Sequence, residues 1–298
     1  MPHDDGQVVM TVSGRSLDVL TDGPPGGSAL VFHSGTPSAA LPFRPLSEAV
    51  AAHGLRLVTW SRPGYGASDP APGRSVADAA SDTAAVLDAL GIDDFLTLGW
   101  SGGGPHALAC AALLPGRCRA AATIAGIAPY PAEGLDWLAG MAAENVEEFS
   151  LALQGEQALT AYLEEQAPVL RQVTGADVAE SLGGLISAVD RASLTGEFAD
   201  YLAAALRGAV SRGVSGWRED DLAFTRNWGF RVCDIGRPVA VWQGDQDLMV
   251  PPAHGRWLVE RLPDVRDHLL PGEGHLSLTV GGLDRIVADL VDLGRPLS

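Results

Sequence analysis

The sequence predicts an α/β protein, a doubly wound and mainly parallel eight-stranded sheet carrying one helical insertion. Three observations carry that prediction. Short apolar runs alternate with helix-spaced segments up to residue 130 and again from residue 236. Several runs, such as Ala29–His33 and Leu55–Trp60, are apolar nearly throughout, the pattern of strands covered on both faces. Between residues 131 and 235 strand-like runs vanish and the chain becomes acidic, Ala-rich and helical.

Taken in order, Gln7–Val12 and Ser16–Leu20 read as two strands joined by a turn at Ser13–Arg15. Ala29–His33 is the third strand and ends in the loop Ser34-Gly35-Thr36-Pro37. A helix over Leu46–Ala52 precedes the strand Leu55–Trp60, and the Gly- and Pro-rich stretch from Ser61 to Gly73 reads as a loop. Apolar spacing then predicts a helix over Val76–Leu90, a strand over Phe95–Gly99, a small-residue helix over Gly102–Leu114 and a strand over Ala120–Ile127. Beyond the insertion, Pro238–Gly244 and Val265–Leu270 restore the strand signal, with helices at Ala253–Leu262 and near Leu283–Leu293. Residues 1–130 and 236–298 therefore form the expected core, and 131–235 the expected helical block.

The charge balance narrows the partners. With 20 basic against 37 acidic residues the net charge is −17, which repels phosphate backbones and anionic headgroups and argues against nucleic acid or membrane partners. A small-molecule substrate is the expected partner. Three cysteines without a CxxC pair fit neither a disulfide framework nor a zinc site. The N-terminal stretch lacks a basic segment followed by an apolar one, and no apolar run reaches membrane-spanning length. A cytoplasmic protein is the expectation, with no metal or organic cofactor, since the sequence shows neither a ligand cluster nor a dinucleotide fingerprint.

The chemistry concentrates at Gly99-Trp100-Ser101-Gly102-Gly103. In a chain with 36 glycines a GxSxG match is weak alone, but here an apolar strand enters it and a helix leaves it. Such a sharp turn demands flanking glycines and sets Ser101 at a helix N-terminus, where free N–H groups favour developing negative charge. A serine hydroxyl needs an adjacent base. Of seven histidines, His275 stands in a Gly-rich loop after the last strand, placed to reach back over the sheet. His268 falls within that strand, His106 lies on the helix leaving Ser101, and His3 and His53 read as surface residues. A carboxylate would orient the base, and strand Pro238–Gly244 ends in Gly244-Asp245-Gln246-Asp247. Asp247 is the favoured acid; Asp245, nearer the strand end, reads as a turn residue.

With Ser101, Asp247 and His275 in that chain order, the sequence resembles the serine hydrolases of the α/β-hydrolase superfamily. The resemblance extends to Ser61-Arg62-Pro63-Gly64-Tyr65-Gly66-Ala67-Ser68, similar to a DRxGxGxS loop with Ser61 in place of Asp, and to Ser34-Gly35-Thr36-Pro37, similar to an HGxP loop with the histidine displaced to His33. It implies an oxyanion hole from the backbone N–H groups of Gly102 and of Thr36 or Gly35. It also implies that block 131–235 is a lid whose apolar residues Trp137, Leu138, Met141, Phe149, Leu153, Tyr162, Trp217 and Phe224 serve mostly its own core. Trp100, beside the nucleophile, is the better pocket residue. The implied activity is hydrolysis of an ester or similar acyl compound through an acyl-enzyme. Carbon–carbon bond hydrolases, aminopeptidases and perhydrolases use the same three residues, and a non-catalytic ligand-binding protein is the rival from another class.

Overall fold

A computed structural model describes residues 7–11 and 13–295. Val12, the expected end of the first strand, and His3 lie outside the described residues. The sheet contains β1 (Gln7–Met10), β2 (Ser16–Asp22), β3 (Ser28–His33), β4 (Leu55–Trp60), β5 (Phe95–Trp100), β6 (Cys118–Ile124), β7 (Val239–Gly244) and β8 (Val265–Leu270). Their spatial order is β1-β2-β4-β3-β5-β6-β7-β8. Pairings from β4 through to β8 are parallel, while β1 with β2 and β2 with β4 are antiparallel.

Helices cover both faces. Helices α1 (Arg44–Ala52) and α11 (Ser277–Leu293) pack on one side; α2 (Asp78–Leu90), α3 (Gly104–Leu113) and α10 (Pro252–Arg261) pack on the other. Consecutive residues of β3 feed opposite cores: Leu30 joins Leu46, Val50 and Ile286, whereas Val31 joins Val86, Leu108 and Leu258. That period of two explains why the run is apolar nearly throughout. Leu98 is fully buried in β5, and its truncation to Ala would cost about 2–5 kcal/mol.

Most boundaries shift by one or two residues from the sequence expectation, and two shift further for identifiable reasons. Strand β6 stops at Ile124 because Ala125 takes a left-handed φ of +51°. Helix α11 begins six residues before Leu283, at Ser277, because a side chain from the helical block caps it, as described below. Between β6 and β7 lie α4 (Ala143–Gln154), α5 (Glu156–Gln172), α6 (Val178–Ser181), α7 (Ala188–Ser193), α8 (Gly196–Ala209) and α9 (Ser215–Phe224), with no strand. No helix among the described residues is long and apolar enough to cross a membrane. Cys110 and Cys118 are buried, Cys233 is exposed, and all three are free thiols.

The topology fixes where a site forms. Strands β4 and β5 lie on either side of β3, so connections diverge there and leave a crevice at the carboxyl ends. The loops after β3, β5, β7 and β8 carry Gly35–Thr36, Ser101, Asp247 and His275 to that edge.

Candidate active site

The turn after β5 is dictated by its glycines. Ser101 holds φ +54°, a conformation that costs a non-glycine residue about 1–3 kcal/mol. Residues Ser101–Gly103 form one 3-10 turn, and α3 follows directly at Gly104. A Cβ on Gly99 would collide with the Gly103 carbonyl, and one on Gly103 with the carbonyl of His33. Only bare backbone fits, and the tight reversal leaves Ser101 half-buried at the helix entrance.

Ser101 and His275 line one cavity of about 130 Å³. His275 is 1% exposed, and its Nδ1 lies 2.8 Å from Oδ2 of Asp247. Asp247 is itself 2% exposed. Its other oxygen, Oδ1, accepts the backbone N–H groups of Met249 and Val250 at 2.9 and 2.8 Å, and the Gln243 amide donates to Oδ2 at 3.1 Å. Burial alone would depress the His275 imidazole, but the Asp247 carboxylate, with a smaller pull from Asp190, holds it above its ordinary value. Asp245 takes a different part: its Oδ1 accepts the Gly272 N–H at 2.8 Å and closes a turn.

The remaining histidines sit elsewhere. His106 and His254 are buried, and burial pushes each down to about 4. His254 is locked between the Ala128 N–H and the Trp137 carbonyl. His33 packs edge-on against Trp60, and burial with nearby His106 and Arg62 depresses it further. His268 lies half-buried on β8 against Asp289, and His53 is exposed.

Opposite Ser101 lies the loop after β3. A Cβ on Gly102 would run into the Thr36 side chain, and one on Gly35 would touch the Ser101 Cβ at 3.4 Å. Gly35, Thr36 and Gly102 all line the cavity, so both loop residues stand beside the nucleophile turn. Arg62 holds this loop from behind, donating to the carbonyls of Ser34 and Gly35 and to Thr36 Oγ1. Arg62 in turn pairs with Asp220 of α9 at 2.6 Å, and Arg74 reaches the same carboxylate at 2.6 Å. The Tyr65 hydroxyl and Thr36 Oγ1 also donate to Asp220, at 2.9 and 2.7 Å. Burial would raise this carboxyl, but the two guanidinium groups win and hold it well below the usual range. The pairing explains the Ser61–Ser68 loop as packing beside the site. Ser61 itself accepts the Ala40 N–H, and its carbonyl accepts the Ser68 hydroxyl.

A second residue of the helical block anchors the histidine loop. Asp190 of α7 is fully buried and accepts the backbone N–H groups of His275, Leu276 and Ser277 at 3.1, 2.7 and 3.0 Å. These are the orphan donors at the start of α11, so Asp190 caps that helix from outside. No sequence pattern pointed to Asp190 or Asp220, because each acts on residues far along the chain.

The cavity walls are shared between the core loops and the helical block. Phe149, Leu182, Leu185, Leu202, Leu206 and Phe224 supply apolar lining from the block, and Trp100, Ile127, Met249 and Val250 supply it from the core. Of the other aromatic and aliphatic residues singled out in the block, Trp137, Met141 and Trp217 belong to buried cores and Leu153 is exposed. Two carboxyl groups also face the cavity, Glu148 of α4 and Asp221 of α9. Among the described residues, no three His, Cys, Asp or Glu side chains gather to hold a metal ion.

A family model described as alpha/beta hydrolase fold matches residues 28–281. A non-heme chloroperoxidase from Streptomyces lividans is 31% identical over 152 residues; the match covers 50% of this chain and 55% of that relative. A hydrolase from Pseudomonas aeruginosa PA01 superposes with a TM-score of 0.72 at 19% identity, over 97% of this chain and 99% of the other. The esterase RhEst1 from Rhodococcus sp. ECU1013 does so at 0.64 and 20% identity, over 99% and 100%. At such identities the likeness is one of fold.

Proposed function

The chain belongs to the alpha/beta hydrolase family, and on that premise we propose that it is a serine hydrolase of esters or similar acyl compounds. One observation carries the reading. A serine held at positive φ on a strand-to-helix turn shares a cavity with a histidine whose far nitrogen is bonded to a buried aspartate. Ser101 Oγ attacks the acyl carbon while His275 Nε2 takes its proton, and Asp247 steadies the resulting imidazolium. The N–H of Gly102, with that of Thr36 or Gly35, receives the oxyanion; each such donor contributes about 3 kcal/mol to the transition state. His275 returns the proton to the departing alkoxide, and water then releases the acid by the same route. The block 131–235 acts as the lid, since four of its helical segments contribute side chains to the cavity that holds Ser101.

A second reading has one specific support, the partial match to the chloroperoxidase. In it hydrogen peroxide replaces water in the second half-reaction and the acyl group leaves as a peracid.

The test is intact-protein mass after a fluorophosphonate, with Ser101→Ala alongside and p-nitrophenyl esters as substrates. A single adduct absent from the variant, and a loss of turnover beyond about a thousandfold in Ser101→Ala, are expected. An adduct that persists in Ser101→Ala would overturn the assignment. Peracid formation from an ester and peroxide would select the second reading.

A further inference from the structure

Asp221 is 1% exposed, yet no N–H or hydroxyl of the described residues reaches its side-chain oxygens, and its one polar side-chain partner is another acid, Glu148. It faces the half-buried carboxyl of Glu148, whose only hydrogen-bond donor from the described protein is Trp217 Nε1 at 2.8 Å. Both carboxyl groups line the cavity that holds Ser101 and His275. An acid whose one partner at that depth is another acid is costly unless a shared proton or a cation satisfies the pair. Among the described residues the fold gives the pair no ion-paired cation, and Arg74 acts on Asp221 only at a distance. No Arg lines this cavity among the described residues, and the sequence contains no Lys. The nearby Arg62 and Arg74 are both committed to Asp220.

Resting on the hydrolase reading above, we propose that Asp221 and Glu148 form a subsite for a protonated amine, so that the substrate is an amine-bearing ester or amide. The ammonium sits between the two carboxyl groups, and its carbon chain lies along Phe149, Phe224 and the leucines toward Ser101. Asp221 and Phe224 are one helical turn apart on α9, which puts the anionic and apolar contacts on one face. Burial and the adjacent Glu148 raise the Asp221 carboxyl well above the usual range. Burial and the neighbouring charge thus favour a proton shared between the two carboxyl groups, whose place an ammonium takes. The net charge of −17 draws cations toward the surface before they reach the site. A cavity of about 130 Å³ suits a ligand of roughly benzene size.

The experiment titrates the unmodified protein with pentylammonium and with 1-pentanol by calorimetry, and repeats it on Asp221→Asn/Glu148→Gln. The amine should bind at least about tenfold more tightly than the alcohol, the worth of a charge-assisted hydrogen bond. The double variant should lose that preference. Equal binding of the two by the unmodified protein would overturn the proposal even where the variant does not fold. A preference that survives in the folded variant would overturn it as well. Fluorophosphonate labelling of the unmodified protein reads the serine separately. Equal binding with a normal adduct sinks the amine subsite alone, and a missing adduct beside a tenfold preference sinks the hydrolase reading alone.

Discussion

On the floor of the cavity, where the ends of β5, β7 and β8 meet, buried charge is fully answered. Asp247 takes two backbone N–H groups, an amide and an imidazole, and nothing of it faces the substrate space unpaired. The roof, the helical block from α4 to α9, divides its acids between two tasks. Asp220 and Asp190 reach across to the core and hold the loops of Thr36 and His275. Asp221 and Glu148 hold nothing in the core and face the cavity. Adjacent residues of one helix thus differ completely in their surroundings, with Asp220 between two guanidinium groups and Asp221 beside another carboxyl. On the hydrolase reading proposed above, the floor can move a proton without rearranging. The roof supplies the braces for that floor and, on the amine-subsite proposal, the surface that distinguishes one substrate from another.

The largest test of this contrast breaks the floor. Asp247→Asn removes the charge that steadies imidazolium, and turnover of a p-nitrophenyl ester should fall on the order of 10³- to 10⁴-fold. Asp245→Asn, which touches only the turn at Gly272, should stay within a few-fold; the reverse ranking would move the role to Asp245. The same pair of proteins gives a pH signature. Burial lowers the His275 pKa, but Asp247 outweighs it and the net shift is upward from 6.5. The base works only when neutral, so the acid limb of kcat/KM in the unmodified enzyme should lie above pH 6.5. Losing the carboxylate leaves burial unopposed and should move that limb to lower pH. A limb that stays in place in Asp247→Asn would separate the titration from this histidine.

A smaller effect follows from cutting the brace under the Thr36 loop. Asp220→Asn leaves Arg62 and Arg74 buried without their counter-charge, and breaking such a pair from one side costs about 3–5 kcal/mol. Urea unfolding should show that loss as a lower midpoint with unchanged slope. A cost below about 1 kcal/mol would mean that water or the neighbouring Tyr65 already satisfies the guanidinium groups.

The floor was legible in the sequence because strand-to-helix turns obey local rules. Gly99, Gly102 and Gly103 announce a turn no side chain can enter, and Asp247 and His275 each follow a recognisable strand. The central strands β3 to β7 were legible because their burial on two faces leaves nearly uninterrupted apolar runs. The roof was not. Asp190, Asp220 and Asp221 are ordinary acids in acidic helical sequence, and nothing local separates one that braces a distant loop from one facing solvent. Even the start of α11 was read six residues late, because the cap that permits it comes from 87 positions earlier in the chain. Periodicity reports which face of a helix is buried, not which polar side chain on it meets a partner across the fold.

That cap supplies the finest test of the contrast. Asp190 touches no reacting atom; it acts on His275 through the backbone, as a positioning residue. Replacing it with Ala leaves three buried N–H groups at the start of α11 unsatisfied, a loss of about 1–3 kcal/mol in stability. A structural role alone would lower Tm and leave the folded enzyme's kinetics unchanged. If the cap also sets the imidazole over Ser101, kcat should fall about tenfold with KM nearly constant, since a misplaced base weakens the transition state and not substrate binding. Asp190→Asn keeps one acceptor oxygen of the same shape and should recover part of that kcat. Normal kcat in Asp190→Ala at a temperature where it remains folded would show that the histidine loop holds its own geometry and that the roof braces only the Thr36 side of the floor.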